Sequence, residues 1–222
     1  MASVSLTTLL ARVRERADMV GSSFVADAAT GLYAWVNEAN QKLHGMLVEA
    51  MGEEYISSTA TLTTVAGQSD YAVPSGFFKL YGVGLPFQGD MRSLERYVRA
   101  ERNNYRALNG NQIPRYSLVG TNIRLYPAPS SVMAGEILYA PEATVLTTGA
   151  DTVNYPNGWE RFIVLDAAIQ CLAKEESDVR ALSAERAAVI KEIELAKESR
   201  DLATPMRVVE TDTLGPLYEF EW

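Results

Sequence analysis

The sequence predicts an α+β fold, with an antiparallel helical bundle built from both ends of the chain and a small all-β module inserted between them. Near both ends, apolar residues recur every three or four positions, as they do on one face of a helix. Between the ends, short runs rich in Thr, Val, Tyr and Phe are broken by Gly and Pro, which is typical of strands and turns. We therefore expect a helical module from residues 1–54 and 157–204, a β module from residues 55–156, and a C-terminal docking arm from residues 205–222.

Two helices are predicted in the N-terminal part. Ser5 is a suitable N-cap for the first helix, and Gly21-Ser22-Ser23 is expected to break it. Thr30 is a suitable N-cap for the second helix, and Gly52 is well placed to end it. The apolar face of the first holds Leu6, Leu9, Leu10, Val13 and Ala17, and that of the second holds Leu32, Trp35, Val36, Ala39, Leu43, Met46, Leu47 and Ala50.

A helical hairpin is predicted to begin after the turn at Pro156-Asn157-Gly158 and to end before Pro205. Its first helix carries one continuous apolar face, whereas the second has a thinner face and alternating charges on the other side. We expect the second N-terminal helix to cover the first hairpin helix, since the hairpin cannot bury that face alone. The predicted core residues are Trp35, Trp159, Phe162, Leu165 and Ile169.

The middle of the chain predicts a small sandwich or barrel of short strands. Residues 56–65 read as a strand, residues 67–70 as a turn and residues 71–73 as the returning strand. Residues 77–85 and 136–139 are further strands, and residues 116–119 and 122–126 form a hairpin around Gly120-Thr121. A short helix is expected near residues 98–106.

Composition sets limits on function. The net charge is −8 and the pI is about 4.8, which argues against binding a nucleic-acid backbone through the surface as a whole. No apolar run reaches the length of a membrane span and the first residues lack a signal-peptide core, so we expect a protein made in the cytosol. The single cysteine, Cys171, rules out an internal disulfide and is expected to be a buried, unreactive thiol.

The residues that carry chemistry do not form an enzyme signature. The one histidine, His44, lies beside an apolar helix face and is expected to be partly buried with a hydrogen-bonded ring. Asp166 is the one acid inside the apolar run of the first hairpin helix. A solvated or ion-paired carboxylate is favoured there over a functional one. We find no metal-ligand spacing, phosphate-binding glycine motif or nucleophile signature, and therefore expect neither a cofactor nor catalysis.

Seven arginines and no lysine lie between Arg92 and Arg124, where the acids are Glu95 and Glu101. Arginine is typical of protein–protein contacts because its planar guanidinium binds carboxylates in a bidentate manner. A protein interface is therefore favoured over a plain solvent-exposed surface and over DNA, for which aromatic interleaving is weak. The candidate interface residues are Arg92, Arg96, Arg99, Arg102 and Arg106.

The last residues of the chain are unusual for a free terminus. Tyr218, Phe220 and Trp222 alternate with Glu219 and Glu221, as in an extended arm with one apolar edge. Exposed aromatic residues are a liability at an end that normally frays. We expect Tyr218, Phe220, Trp222 and Leu217 to contact a neighbouring protein, the alternative being an arm that packs on its own domain.

Several segments resemble those of tailed-bacteriophage head–tail adaptor (connector) proteins of the tail tubular protein A type. They are Trp35-Val36-Asn37-Glu38-Ala39, Gly52-Glu53-Glu54-Tyr55, Tyr71-Ala72-Val73-Pro74-Ser75-Gly76-Phe77-Phe78-Lys79-Leu80, Pro114-Arg115-Tyr116, Pro156-Asn157-Gly158-Trp159-Glu160, Asp166-Ala167-Ala168-Ile169 and Lys174-Glu175-Glu176-Ser177-Asp178. The resemblance spans most of residues 30–207.

This resemblance implies a structural virion protein at the head–tail interface, made in the cytoplasm of the host bacterium. It implies a homo-oligomeric ring, commonly a dodecamer, that docks on the portal, joins it to a downstream tail or nozzle protein and lets DNA pass. The resemblance implies no catalytic residues, because this family has none to assign to the chain. Two other readings stay open: a nucleic-acid-binding module that uses the surface between Arg92 and Arg124, and an enzyme whose site lies between subunits.

Overall fold

The computed structural model describes residues 3–28, 31–98 and 113–196. The fold mixes helices and sheets, as the sequence predicts. The helices are α1 (Leu6–Arg16), α2 (Leu32–Met51), α3 (Arg161–Lys174) and α4 (Arg180–Ala196), with short 3-10 turns at Gly52–Glu54 and Pro156–Gly158. No helix among the described residues is long and apolar enough to cross a membrane.

Helix α1 begins where the sequence predicts and ends earlier. The Ser5 hydroxyl accepts a hydrogen bond from the backbone N–H of Thr8 at 3.3 Å, which is an N-cap. The helix ends at Arg16, because Asp18 adopts a left-handed conformation with φ 54°. The break therefore precedes the predicted one at Gly21.

Helix α2 ends at Gly52, as predicted, where φ is 59°. The residue that precedes its first turn is Gly31, which has no side chain with which to cap it. A Cβ at Gly31 would lie 2.3 Å from the carbonyl oxygen of Ala26, so only glycine fits this close approach. The predicted cap, Thr30, lies outside the described residues, and the N-cap position belongs to Gly31.

One hydrophobic core joins helices from both ends of the chain, with α3 in contact with α1, α2 and α4. Every residue of α3 from 162 to 168 is buried, so this half of the helix is enclosed rather than apolar on one face. Trp159, Phe162 and Leu165 are fully buried. Trp35 is half-buried and packs against this core, and Ile169 is half-buried, so both lie nearer the surface than the sequence suggested.

The strands are β1 (Val4–Ser5), β2 (Ser58–Thr63), β3 (Asp70–Ala72), β4 (Phe77–Phe87), β5 (Asp90–Ser93), β6 (Arg115–Val119), β7 (Asn122–Tyr126), β8 (Ala134–Pro141) and β9 (Thr152–Val153). A four-stranded sheet has the order β2-β8-β4-β5 and a three-stranded sheet the order β3-β7-β6, while β1 pairs with β9. The two larger sheets enclose a second hydrophobic core that includes Leu62, Val83, Ile123, Leu125 and Ile137.

The structure corrects part of the strand prediction. The hairpin of β6 and β7 is present, but β3 does not return along β2. Instead β3 pairs with β7, and β2 pairs with β8. In both pairs the two strands are far apart in the sequence. The turn at residues 67–70 thus carries the chain from one sheet to the other. Strands β1, β5 and β9 were not predicted, and most of the predicted helix at residues 98–106 lies outside the described residues.

Candidate interface surfaces

A row of polar side chains on α2 connects the helical core to the chain that leaves the β sheets. Asn37, Asn40 and His44 lie on one face of the helix, at intervals of three and four residues. They hydrogen-bond the backbone of residues 141–146. Asn37 donates to and accepts from Leu146 (both 2.8 Å), Asn40 donates to the Thr144 carbonyl (2.8 Å), and His44 Nε2 lies 2.9 Å from the Pro141 carbonyl. We call these three side chains the α2 ladder.

The ring of His44 is a structural member of this ladder. It is buried, with the rings of Tyr55 and Phe78 against it in edge-on contacts. Burial lowers the pKa of His44, so the ring is neutral at pH 7 and Nε2 donates its proton to the Pro141 carbonyl. Nδ1 then accepts from the Tyr55 hydroxyl, 3.4 Å away. The sequence-based expectation of a hydrogen-bonded helix histidine is confirmed.

Two cavities, of about 240 and 280 Å³, both have His44, Glu142 and Ala143 in their walls. No group of three or more potential metal ligands occurs among the residues that the structure describes. The thiol of Cys171 is buried, and this burial raises its pKa to about 11, as expected for an unreactive cysteine.

Asp166 points into the helical core and is ion-paired there. Its side chain is 3% exposed, with Lys42 of α2 at 3.0 Å and Arg186 of α4 at 2.5 Å. Burial alone raises the pKa of Asp166, but the hydrogen bonds and charges of Lys42 and Arg186 outweigh it, and the net shift is downward. The ion-paired alternative is therefore the correct one. This carboxylate ties three helices together.

The described arginines of the β module fall into two groups. Arg115 pairs with Glu95 at 2.7 Å, and Arg124 forms a bidentate pair with Asp70 at 2.6 and 2.8 Å. Both are occupied within the chain. The other group is Arg92 and Arg96, which are exposed. Arg99, Arg102 and Arg106 lie outside the described residues.

Arg92 lies in β5, the edge strand of the four-stranded sheet, and Arg96 lies just after this strand, where it forms an isolated bridge with Tyr116 of the three-stranded sheet; both side chains are exposed. The guanidinium of Arg92 lies 5.0 Å from the centre of the Phe87 ring, which orients it. Met91 is 49% exposed and Val98 is 60% exposed. We call these exposed residues in and just after β5, Met91, Arg92, Arg96 and Val98, the β5 surface; the side chains of Met91 and Arg92 leave the strand on opposite faces. Exposed arginine beside apolar side chains is typical of protein interfaces, and an edge strand also offers unpaired backbone groups.

A groove lies on the helical side of the molecule, where α1 and α4 both pack on α3. It encloses about 390 Å³ and has Val164, Leu165 and Val189 among its lining residues. Its rim carries ion pairs between Arg16 and Glu185 and between Arg161 and Glu192. Sequence patterns gave no indication of it, because a groove depends on how far apart two helices lie.

The predicted contact residues at the C-terminus, Leu217, Tyr218, Phe220 and Trp222, lie outside the described residues. Their role therefore stays a prediction.

Comparison with known proteins identifies one family for this chain. No curated protein matches the chain. Residues 4–209, which include both hydrophobic cores and the β5 surface, match the SU10 adaptor protein family. Since this match covers nearly the whole sequence, the chain belongs to the SU10 adaptor protein family, a structural family of phage head–tail adaptors, and is a virion component.

Proposed function

We propose that this protein forms a homo-oligomeric ring that docks on the portal, joins it to the tail and leaves a channel through which DNA passes. The observation that carries this proposal is the family match over residues 4–209. The resemblance noted in the sequence suggests a dodecamer, with a downstream tail or nozzle protein on the other side. DNA passes without sequence-specific binding.

The proposal assigns different tasks to different parts of the chain. Residues 1–54 and 157–204 act as one helical module, an antiparallel bundle, and residues 55–156 act as an inserted β module. Two separate hydrophobic cores support this division. The α2 ladder supports a fixed connection between the modules, because it binds the last residue of β8 and the chain directly after it.

The β5 surface supplies ring or tail contacts in this proposal, together with Arg99, Arg102 and Arg106. A ring needs heterologous contacts, in which two different surfaces of each copy meet. Arginine and methionine are both enriched in such contacts. Because Arg92 and Arg96 are exposed, they are available to carboxylates of another protein.

The docking arm, residues 205–222, binds a neighbouring protein, the portal in the first instance. Tyr218, Phe220 and Trp222 are its anchors, since aromatic anchors carry much of the energy of an interface. Repeated around a ring, weak docking of single arms becomes strong through avidity.

Light scattering of the purified protein, with and without portal, tests this function. We expect a monomer alone, kept soluble by its net charge of −8, and a ring when portal is present. Failure to bind portal at both low and moderate salt would contradict the adaptor function. Strong, salt-dependent DNA binding by the free protein would instead favour the nucleic-acid-binding alternative.

A further inference from the structure

The four-stranded sheet has two edge strands, β2 and β5. Each has a partner strand on one side, β8 for β2 and β4 for β5, and no strand on its other side among the residues that the structure describes. The outward side of an edge strand presents backbone N–H and C=O groups to which a strand of another chain can bind. Both edges are therefore candidate sites for pairing between chains.

The edge of β2 carries none of the features that normally block such pairing. Natural edge strands are protected by charged residues, by proline, by a β-bulge or by their short length. Strand β2 has six residues with the sequence STATLT, which contains no charge and no proline, and its register with β8 is regular throughout. Thr59, Thr61 and Thr63 are exposed. A regular, uncharged edge of this kind is a liability in a free chain, so a partner strand is expected beside it.

The two edge strands run in opposite directions. Strand β2 is antiparallel to β8, β8 to β4, and β4 to β5. Because the sheet has four alternating strands, β2 and β5 are antiparallel to each other. When two copies stand side by side in the same orientation, β5 of one is thus antiparallel to β2 of the next, and the alternation continues from copy to copy. The copies of a ring have the same orientation relative to its axis, as this pairing requires.

The two edges also lie at the same level of the sheet. One row of paired residues crosses all four strands, and its members are Thr61, Glu136, Gly84 and Ser93. Side chains of paired residues leave a sheet on the same face. Thr61 and Ser93 are the two ends of this row. Copies that stand at equal height therefore bring Ser93 of one beside Thr61 of the next, with both side chains on one face.

The backbone groups of Thr61 and Ser93 point away from the sheet. In an antiparallel pair, successive residues direct their N–H and C=O groups alternately toward the partner strand and away from it. The N–H of Thr64 donates to the Met133 carbonyl on the β8 side (2.9 Å), so the N–H of Thr61, three positions earlier, points to the outer side. The N–H of Leu94 donates to a carbonyl of β4 (2.8 Å), so that of Ser93 also points outward. Thr61 and Ser93 of two copies can therefore exchange two backbone hydrogen bonds.

We propose that β5 of one copy pairs with β2 of the next copy, so that the four-stranded sheets of all copies form one antiparallel sheet around the ring. This inference rests on the proposed ring and names a contact that builds it. The pairing is heterologous, because it joins two different edges, and closure of the ring covers both edges of every sheet. Four strands span roughly 19 Å at a spacing of about 4.8 Å, so twelve copies would form a circle roughly 70 Å across, which leaves an open centre.

Other pairings of these edges satisfy fewer of the conditions. Antiparallel pairing of β2 with a second β2, or of β5 with a second β5, relates two copies by a twofold axis and stops at a dimer. Pairing of β5 with β2 repeats from copy to copy. It also brings no like charges together, because β2 has no charged residue to oppose Asp90 or Arg92 of β5.

Disulfide formation tests the proposed pair directly. Two cysteines form a disulfide only when their Cα atoms lie within about 7 Å of each other. Thr61 and Ser93 of one chain are three strand spacings apart, roughly 14 Å, so a bond between cysteines at these positions must join two copies. Rings of the double variant Thr61→Cys with Ser93→Cys, assembled on portal and oxidised, should give a ladder of covalent multimers. The wild type, whose Cys171 is buried, should give single chains.

Matched variants establish the face, the partner and the register. Ala60→Cys with Ser93→Cys moves one cysteine by one residue, which places it on the opposite face of the sheet, and should give single chains. Thr61→Cys alone should also give single chains; dimers from it would show that β2 pairs with itself and would overturn the inference. Thr59→Cys and Thr63→Cys are each combined with Ser93→Cys, and a ladder from either supports the pairing at a register shifted by two residues. Absence of a ladder at all three threonines would overturn the pairing.

Proline substitution tests the backbone hydrogen bonds of the β2 edge. Proline has no N–H, so Thr61→Pro removes an outward donor and no bond within the sheet, whereas Ala60→Pro removes a donor that points to β8. Thr61→Pro should keep a melting temperature close to that of the wild type and lose the ring on portal. Ala60→Pro should lower the melting temperature of the free protein. A Thr61→Pro protein that melts like the wild type and forms rings as readily would contradict the pairing.

The wild type distinguishes this inference from the proposed function. If the wild type forms rings on portal, but no ladder forms and Thr61→Pro assembles normally, the edge pairing is wrong and the adaptor function stands. If the wild type forms no ring on portal, the proposed function is contradicted. The double variant Thr61→Cys with Ser93→Cys, oxidised at high protein concentration without portal, then decides the edge pairing: a ladder supports it and single chains overturn it.

Discussion

Arg186 donates a 2.5 Å hydrogen bond to the buried carboxylate of Asp166, and this contact joins α4 to α3. Lys42 binds the other carboxylate oxygen at 3.0 Å. One buried charge thus has two cationic partners on two different helices. Removal of either cation leaves the other, and removal of both leaves an uncompensated charge in the core.

This arrangement predicts a non-additive effect on stability. Arg186→Met and Lys42→Met should each lower the free energy of unfolding by about 1.5–3 kcal/mol, as for loss of one hydrogen bond to a charged group. The double variant should cost about 3–5 kcal/mol more than either single one, because an unpaired buried charge is strongly destabilising. Urea unfolding at pH 7 measures this. Arg180→Met is the control, since Arg180 pairs with Asp178 at the exposed surface and should show no measurable change. Additive losses would show that Asp166 is solvated in the folded state.

The two tryptophans of the helical core should differ in their contribution to stability. Trp159 is 3% exposed, so Trp159→Ala should cost about 3–5 kcal/mol and give an aggregating protein. Trp35 is half-buried, with the Lys174 ammonium 5.8 Å from its ring centre, and Trp35→Ala should cost about 1–3 kcal/mol. Thermal unfolding of both variants checks this order. If both melt like the wild type, the helical core has been assigned wrongly.

Stability should fall in mild acid because of His44. Burial lowers the pKa of His44 in the folded protein, whereas an unfolded histidine has a pKa of about 6.5. Below that value the unfolded state binds more protons than the folded state, so the free energy of unfolding decreases as pH falls. This loss of stability is absent above a pH of about 7.5 and increases as the pH falls to about 5.5.

His44→Gln is the matched variant for this pH dependence, since its side chain does not titrate. We expect it to be less stable than the wild type at pH 8 and to lose less stability between pH 8 and 5.5. Chemical unfolding at several pH values measures both. If the free energy of unfolding depends on pH equally in the two proteins, another group causes the acid sensitivity.

The β5 surface should matter for assembly and not for folding. Arg92 and Arg96 are exposed, so Arg92→Glu with Arg96→Glu should leave the melting temperature almost unchanged. The same change should prevent ring formation on portal, because it reverses the charge of the surface. Arg124→Glu is a contrasting variant that breaks the pair with Asp70 within the chain and should lower the melting temperature. If the variant with Arg92→Glu and Arg96→Glu forms rings as readily as the wild type, the β5 surface takes no part in ring contacts.

Deletion of residues 213–222 tests the docking arm. We expect the melting temperature of the free protein to stay nearly the same and portal binding to be lost, because three aromatic anchors are removed at once. A full-length variant in which Tyr218, Phe220 and Trp222 are replaced with serine is the matched control, because it removes the aromatic side chains and keeps the length of the chain. If the shortened protein melts several degrees lower and still joins the portal, the arm packs on its own chain and the docking role is wrong.

Local signals in the sequence predicted much of the fold. The apolar periods predicted helices where α1 to α4 lie, Ser5 marked the start of α1, Gly52 marked the end of α2, and Gly120-Thr121 marked the hairpin of β6 and β7. The predicted end of the last helix before Pro205 lies outside the described residues. Strand pairing was harder to predict, because β2 and β3 are close in sequence but pair with β8 and β7. Turn chemistry indicates where a chain bends, but the sheet that a strand joins depends on distant residues.

The candidate surfaces were less predictable than the fold. The excess of arginine was visible, but Arg115 and Arg124 find carboxylates in neighbouring segments, and this leaves Arg92 and Arg96 exposed. The strand β5, in which Arg92 lies, is four residues long and too short to show a period. For Asp166 the sequence favoured a solvated or ion-paired side chain, and its identity among apolar residues could not show that Lys42 and Arg186 reach it from other helices.

The α2 ladder has a mechanical consequence for a protein at a joint. Helix α2 has 20 residues, which corresponds to a rod of roughly 30 Å. Asn37, Asn40 and His44 bind the end of β8 and the chain that follows it at three separate points along this rod. A pull on the β sheets is therefore shared by several hydrogen bonds that must break together, and it reaches the helical core as a shear along α2. Helix α2 therefore carries part of any load between the two halves, beside the pairing of β1 with β9.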